Sequence, residues 1–265
     1  MPESEPEIDL MTDRAHSARI YDYLLGGKTN YLADREAGDA ALAAMPSMRS
    51  TARVQRAFMH RSSRAVAEAG IDQFLDVGTG IPTEPNLHQI VNAVRTESRV
   101  VYVDNDPIVL AHTAALMTGP GTVTYLRADA RDPDAILAAP QLRETLDLAR
   151  PVSVSVIGIV HFLDDETVTR LVGTLMVAVA PGSYLTLTVG TFDHDTDGEV
   201  RRTNEAYAKA GIAGWARTRE QVQQLLDGLE LVPPGIVRPQ QWRPDPAAFD
   251  GEQDRALWAV VARKP

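Results

Sequence analysis

From Ile71 onward the chain alternates short β-branched runs with amphipathic helical stretches, and no other feature limits its folding so tightly. Strands separated by helices pair in parallel, in a sheet covered by helices on its faces. The runs are DQFLDV at 72–77, RVVYVD at 99–104, TVTYL at 122–126, VSVSVIG at 152–158 and SYLTLTV at 183–189, then LELVPPGIV at 229–237 and ALWAVVA at 256–262. Asp106-Pro107 and Asp132-Pro133 each set a capping carboxylate before a proline whose missing N–H is harmless at the first helical position. Thr218 with Gln221 makes a capping box. No helix separates the last two runs, so five βα units are expected to end in an antiparallel strand pair.

Three segments are expected: an acidic mobile tail at 1–12, with Pro2, Pro6 and four carboxylates, a helical lid or appendage at 13–70, and the sheet domain at 71–265. A long helix is predicted from about Met48 to Ala69, closed by Gly70. The charge sum of 26 Lys+Arg against 36 Asp+Glu, net −10, disfavours nucleic acid and anionic membranes as partners. The absence of Cys excludes disulfides, thiolate zinc sites, Cys nucleophiles and iron–sulfur clusters. The opening MPESEPEIDL lacks a signal-peptide pattern and no apolar run reaches membrane length, so a cytoplasmic protein is expected. No His/Asp/Glu cluster has metal-ligand spacing.

FLDVGTGIPTEPNLHQIV joins a buried strand to a helix through Gly78, Thr79 and Gly80, a turn that lets backbone N–H groups approach a nucleotide or a carboxylate. Glycines there can also serve tight geometry alone. Asp104 ends the second strand, where a carboxylate can accept from both ribose hydroxyls. Asp129 follows the third strand and is placed to meet an adenine amino group, with the Ala130 N–H on a ring nitrogen; its alternative is a surface pair with Arg127 or Arg131. Thr83 stands where a dinucleotide fold wants its third glycine, and Gly27-Lys28-Thr29 lacks both the glycine and the strand of a P-loop. S-adenosylmethionine remains as the adenosine cofactor.

RIYDYLLGGKTNY at 19–31, RAFMHR at 56–61, FLDVGTGIPTEPNLHQ at 74–89, VVYVDNDPIVLAH at 100–112, ADARDP at 128–133, DGLELVPPG at 227–235 and WRPD at 242–245 together resemble the actinobacterial S-adenosyl methyltransferase family, within the class I S-adenosylmethionine-dependent methyltransferases. The resemblance runs from about Ala15 to the C-terminus. It implies an α/β, doubly wound, Rossmann-like sheet of seven mostly parallel strands with a C-terminal antiparallel pair. Asp76, Gly78, Thr79 and Gly80 match its first motif, Asp104 its ribose acid, and Asp129 with Ala130 its adenine corner; Asn105 replaces the usual apolar residue, which leaves Ile108 or another apolar group to pack on adenine. Tyr21, Tyr23, Lys28 and Asn30 are implied as pocket residues that bind the acceptor. The acceptor itself and the oligomeric state are not implied.

On the long helix Arg49, Arg53, Arg56, His60 and Arg64 form one stripe, opposite Val54, Phe58, Ala65 and Ala69, and a solvated basic face is expected. Arg61 falls off that stripe near the apolar flank, so it needs a partner: the cofactor carboxylate is expected, with Asp76 or Glu84 as alternatives. RIYDYLLGGKTNY reads equally as a mobile lid and as a helical hairpin docking Tyr21, Leu24 and Leu25.

Methyl transfer needs alignment and, for an oxygen acceptor, a base. His161, after the fourth strand, is the candidate catalytic residue, with packing in the pocket wall as its alternative role. Asp164 and Asp165 read as helix caps, and His88 and His112 as structural. The expected partner is a small-molecule acceptor, with nucleic acid disfavoured because VHFLDD replaces the Pro-Pro-aromatic signature of amino-methylating enzymes. A cofactor-binding regulator without turnover and an NAD(P)-dependent oxidoreductase stay as alternatives.

Overall fold

The computed structural model describes residues 10–116, 121–244 and 254–265. Most of the expected acidic tail lies outside the described residues. Three helices come first: α1 (Ser17–Leu25), α2 (Leu32–Ala44) and α3 (Met48–Glu68). Then follow β1 (Gln73–Val77), α4 (Leu87–Asn92), β2 (Arg99–Asp104), α5 (Pro107–Leu116), β3 (Thr122–Arg127), α6 (Pro133–Ala138), α7 (Pro140–Thr145), β4 (Ser153–Val156), α8 (Asp165–Ala178) and β5 (Tyr184–Gly190). The chain ends with α9 (Glu199–Lys209), α10 (Arg219–Leu225), β6 (Glu230–Leu231) and β7 (Leu257–Arg263).

The seven strands are ordered β3-β2-β1-β4-β5-β7-β6, with β7 antiparallel to both neighbours and the other recorded pairings parallel. Chain direction across the sheet reverses between β1 and β4. In an open α/β sheet such a reversal opens a crevice beyond the carboxyl ends of the strands.

Strand alternation decides which side chains face α3. Phe74, Val100 and Tyr102 share a buried cluster with Phe58, Met59, Val66 and Ala67 of α3, whereas Leu75, Val77, Val101 and Val103 face the opposite layer with α8. Successive side chains point to opposite faces, so Asp76 and Asp104 share the α3 side with Phe74 and Tyr102. The α3 layer is fixed by Phe58, fully buried with its ring edge-on to Trp242 at 5.6 Å. Burying an aromatic side chain of this size contributes about 1.5–3 kcal/mol.

The caps form as composed. Asp106 accepts from Ile108 N–H at 2.9 Å, Asp132 from Ala135 N–H at 3.1 Å, Asp164 from Thr167 N–H at 2.8 Å, and the Thr218–Gln221 box is closed in both directions. Asp165 pairs with Arg217 at 2.8 Å. The expected strand at 229–237 is the one large difference. Only Glu230–Leu231 pairs as a strand, and beyond Pro233-Pro234 a single bridge rejoins Val237 to Ala259. Two consecutive prolines donate no ladder hydrogen bonds, which interrupts the pairing.

The segment at 19–31 folds as part of a helical hairpin. Ile20 and Leu24 of α1 pack with Ala37 and Ala41 of α2, Ala52 of α3 and Tyr207 of α9. Arg19, 1% exposed, sits 3.2 Å from Asp106 and 3.6 Å from Asp34, both buried. This ion cluster ties the hairpin to the start of α5 and so holds α1 over the carboxyl end of β2. Among the described residues no helix is long and apolar enough to cross a membrane.

Candidate functional site

The strand ends build a cavity of about 460 Å³ at the reversal point. Its floor comes from Asp76–Gly80 after β1, Tyr102–Asn105 at the end of β2, Ala128–Arg131 after β3 and Ile157–Ile159 after β4. The chain roofs it from two sides, with Ala15–Ala18 and Tyr21 at α1 and Gly211–Ala213 and Trp215 after α9.

The turn after β1 is pinned to β2: the N–H groups of Gly78 and Thr79 donate to the Val103 carbonyl, and the Thr79 hydroxyl donates to Asp76 O. Gly78 has φ +80°, and a Cβ there would sit 2.4 Å from Ile159 Cγ2, so this glycine permits close packing of two loops. Gly80 also has a positive φ, +69°, but a Cβ on it meets nothing within 4 Å. The second glycine therefore leaves its backbone bare to the cavity.

Asp104 accepts from Gly80 N–H at 2.8 Å and from Asp106 N–H at 3.0 Å. Burial raises its carboxyl above the usual range despite those donors. Asp76 accepts from the Ser155 hydroxyl at 2.5 Å. Burial pushes its carboxyl up to about 6, against the pull of Ser155 and the Arg56 guanidinium. Asp129 is engaged by Arg131, through its N–H at 2.9 Å and its guanidinium at 3.3 Å, and by the Asn105 amide at 3.2 Å. Burial acts to raise this carboxyl, but these donors outweigh it and hold the group below its ordinary value. The local pairing weighed from the sequence and a place in the cavity wall thus coexist at Asp129.

Of the residues singled out in the sequence, Asp76, Gly78, Thr79, Gly80, Asp104, Asn105, Asp129, Ala130 and Tyr21 line this cavity. Arg61 does not. Its guanidinium donates to the carbonyls of Trp242 at 3.0 Å and Pro239 at 2.7 Å, so it clamps the segment before the last strand. Arg56 faces the cavity in its place. It donates to the carbonyls of Thr83 and Pro85, while its Nε is buried without a hydrogen-bond partner among the described residues.

The basic stripe on α3 is therefore not uniformly solvated. Arg53 and Arg64 are exposed, whereas Arg49 donates to the last carbonyls of α1, those of Tyr23 and Leu24, and lies over the Tyr23 ring. Ile108 is buried with Ile81 and Val109 beneath the turn and is not part of the cavity wall.

Tyr23, Lys28 and Asn30 also lie away from the cavity. The Tyr23 hydroxyl donates to Asp39 at 2.6 Å. The Gly26–Asn30 loop winds around the buried Asp22 carboxylate, which accepts from Thr29 N–H at 2.9 Å and the Asn30 amide at 2.8 Å. A Cβ on Gly27 would overlap Asp22 Oδ1 at 2.0 Å, which explains the glycine there. Lys28 is exposed at the loop tip.

His161 lines a second, smaller cavity of about 110 Å³ whose wall shares Ser17, Tyr21, Gln55, Gly158, Phe162 and Trp215 with the first. Burial, aided by the Arg217 charge, pushes its imidazole down to about 4. Gln55 and Met59 escaped the sequence reading, and Arg56 was read there only as part of the solvated basic stripe, although their spacing of one and three residues places the three together on one turn of α3. The roof after α9 lies within the stretch at 191–216, which the class I resemblance marks as a variable connection where acceptor specificity is expected.

The family model described as S-adenosyl methyltransferase matches residues 3–265. A crystal structure of a DUF574 family protein from Streptomyces avermitilis MA-4680 superimposes with a TM-score of 0.93 at 48% identity, covering 97% of this chain and 100% of that one. A structure from Thermobifida fusca YX superimposes at 0.89 with 38% identity over 98% of both chains. Human N-acetylserotonin methyltransferase in complex with SAM shares the fold alone, at a TM-score of 0.51 and 14% identity, covering 95% of this chain and 63% of that one. No curated protein matches the chain.

Proposed function

The chain belongs to the S-adenosyl methyltransferase family, a premise from which we propose that it methylates a small-molecule acceptor within the roofed crevice of its sheet. The chain is an S-adenosylmethionine-dependent methyltransferase by family. The acceptor class and the residue roles are the proposal.

The donor set fits this cofactor. Asp104 has acceptor capacity for ribose hydroxyls at the end of β2, and bare backbone at Gly80 leaves room beside it. Asp129 and Ala130 stand at the adenine corner. Asp76, a carboxyl held high by burial, suits a cationic partner such as an ammonium. Arg56 suits a carboxylate, and its buried, unpartnered Nε is the single observation that carries the assignment. When bound, S-adenosylmethionine supplies a methyl group on an electrophilic sulfonium.

The protein's part is to hold, orient and exclude water. The roof from α1 and the segment after α9 narrows the crevice over the strand ends, and such partial enclosure suits a small acceptor better than a nucleic-acid strand. His161, neutral at physiological pH, can accept a hydrogen bond from an acceptor hydroxyl and orient it.

The test has two arms: calorimetry with S-adenosylhomocysteine, and acceptor-dependent release of S-adenosylhomocysteine across a small-molecule library. Tight binding with turnover on a library member is expected. Binding without turnover on any member would favour a regulator, and stabilisation by NAD(P) alone would overturn the cofactor assignment.

A further inference from the structure

The second cavity adjoins the first along residues that line both, among them Tyr21, Gln55 and Phe162. Its lining contains no Lys, Arg, Asp or Glu among the described residues. A phosphate or carboxylate entering it would lose hydration with no counter-charge in return. Tyr21, Phe162, Phe192, Tyr207 and Trp215 give it aromatic walls, which favour a flat apolar body. Its volume of about 110 Å³ is of the order of the roughly 150 Å³ void that holds a benzene ring.

The polar groups of the wall are mostly committed. The Thr51 hydroxyl donates to Asp254, the Gln55 amide to Thr188, the Thr203 hydroxyl to Glu199 O, the Asn204 amide to Gly214 O and the Tyr21 hydroxyl to Ala52 O. The His161 imidazole makes no hydrogen bond among the described residues, and its Nδ1 is buried. It is held in place by the Phe162 ring at 4.3 Å and by Gly190, where a Cβ would come within 2.8 Å of His161 Cβ. A rigidly packed imidazole without a partner is a group awaiting one.

We propose that this cavity is the acceptor site and takes an uncharged, single-ring aromatic compound whose hydroxyl donates to the His161 imidazole. The inference rests on the methyltransferase reading, which puts the reacting methyl in the adjoining cavity. Burial keeps the imidazole neutral and able to accept, since its pKa is held near 4. The uncharged wall selects against nucleotides, acidic metabolites and nucleic acid.

The experiment is calorimetric titration of the full chain, saturated with S-adenosylhomocysteine, with 4-methylphenol, toluene and 4-hydroxybenzoate. We expect 4-methylphenol to bind at least about tenfold more tightly than toluene, the equivalent of one hydrogen bond, and 4-hydroxybenzoate to bind weakest of the three. His161→Phe should reduce 4-methylphenol to the toluene level while leaving S-adenosylhomocysteine affinity intact, which also reports folding. Ala52→Leu, which projects into the same space, should exclude both neutral ligands. Equal binding of 4-methylphenol and toluene, preference for the carboxylate, or full 4-methylphenol affinity in His161→Phe would each overturn the proposal. Failure of S-adenosylhomocysteine to bind the wild type would instead remove the reading beneath it.

Discussion

Asp104 holds the Gly80 N–H at 2.8 Å, so the acid that ends β2 shapes the turn that leaves β1. Its other oxygen takes the Asp106 N–H at 3.0 Å. Asp104→Asn keeps the size but sets an amide donor against one of two N–H groups. S-adenosylhomocysteine affinity should fall by about ten- to a hundredfold in calorimetry, the worth of one charge-assisted hydrogen bond. Wild-type affinity in this variant would remove Asp104 from the ribose role.

Asp76 should make cofactor binding pH-dependent. Its carboxyl titrates near 6 in the native protein against 3.8 unperturbed, so below pH 6 the free site loses the charge that an ammonium needs. Affinity should be level above pH 6 and fall about tenfold by pH 5. The stability effect has the opposite sign. Between 3.8 and 6 the native state binds the extra proton, so this group destabilises the fold increasingly as pH rises through that window. Asp76→Asn should bind the ligand weakly at every pH, lose the pH 5–6 step, and raise the melting temperature of the free protein at pH 7.5.

Arg56 and Arg61 should separate binding from stability. Arg56→Met removes a guanidinium from the cavity wall and should lower S-adenosylhomocysteine affinity at least about tenfold. Arg61→Met leaves the Trp242 and Pro239 carbonyls without their donor, costing about 1–3 kcal/mol in urea unfolding with ligand affinity unchanged. The reverse pattern would restore the role expected for Arg61 from the sequence.

The two glycines of the turn should respond differently to Ala. Gly78→Ala places its Cβ 2.4 Å from Ile159 on a left-handed backbone and should destabilise the protein by about 1–3 kcal/mol. Gly80→Ala meets open space, so the expected loss is about 1–2 kcal/mol from backbone conformation alone, together with weaker ligand binding. Denaturation midpoints and calorimetry on the pair check this ordering.

Lys28→Ala should change neither ligand affinity nor turnover, because the side chain stands exposed on the loop wound around Asp22. Asp22→Ala should cost about 1–3 kcal/mol, since the Thr29 N–H and Asn30 amide lose their acceptor. A large kinetic effect from Lys28→Ala would show that this loop reaches the acceptor after all.

Much of the site was legible because its chemistry is local. Asp76, Asp104 and Asp129 each lie at or just past the carboxyl end of a strand whose β-branched pattern marks its boundary, and the parallel order brings those ends to one edge. The Asp106 and Asp132 caps were equally plain, since a cap acts within three residues of itself. Arg61 shows where such reasoning stops. Periodicity set it off the basic stripe, but its partners, the Trp242 and Pro239 carbonyls, lie some 180 residues away in sequence and leave no local trace.

What the sequence by itself determined is the sheet with its closing antiparallel strand, the turn at Gly78–Gly80 and the acids of the crevice, because alternation, turn geometry and capping operate over a few residues. Only the tertiary structure decided which arginine of α3 turns toward the cavity, since a helical period relates side chains to one another but not to the sheet they pack on. The same holds for the Gly-Gly-Lys-Thr-Asn segment: its composition suits a ligand loop, yet the buried Asp22 carboxylate claims its donors first. It holds as well for the second cavity, whose walls join α1, α3, the loop after β4, the end of β5, α9 with the segment after it, and the start of β7. A cavity made by segments so distant in sequence exists only once long-range packing has placed them.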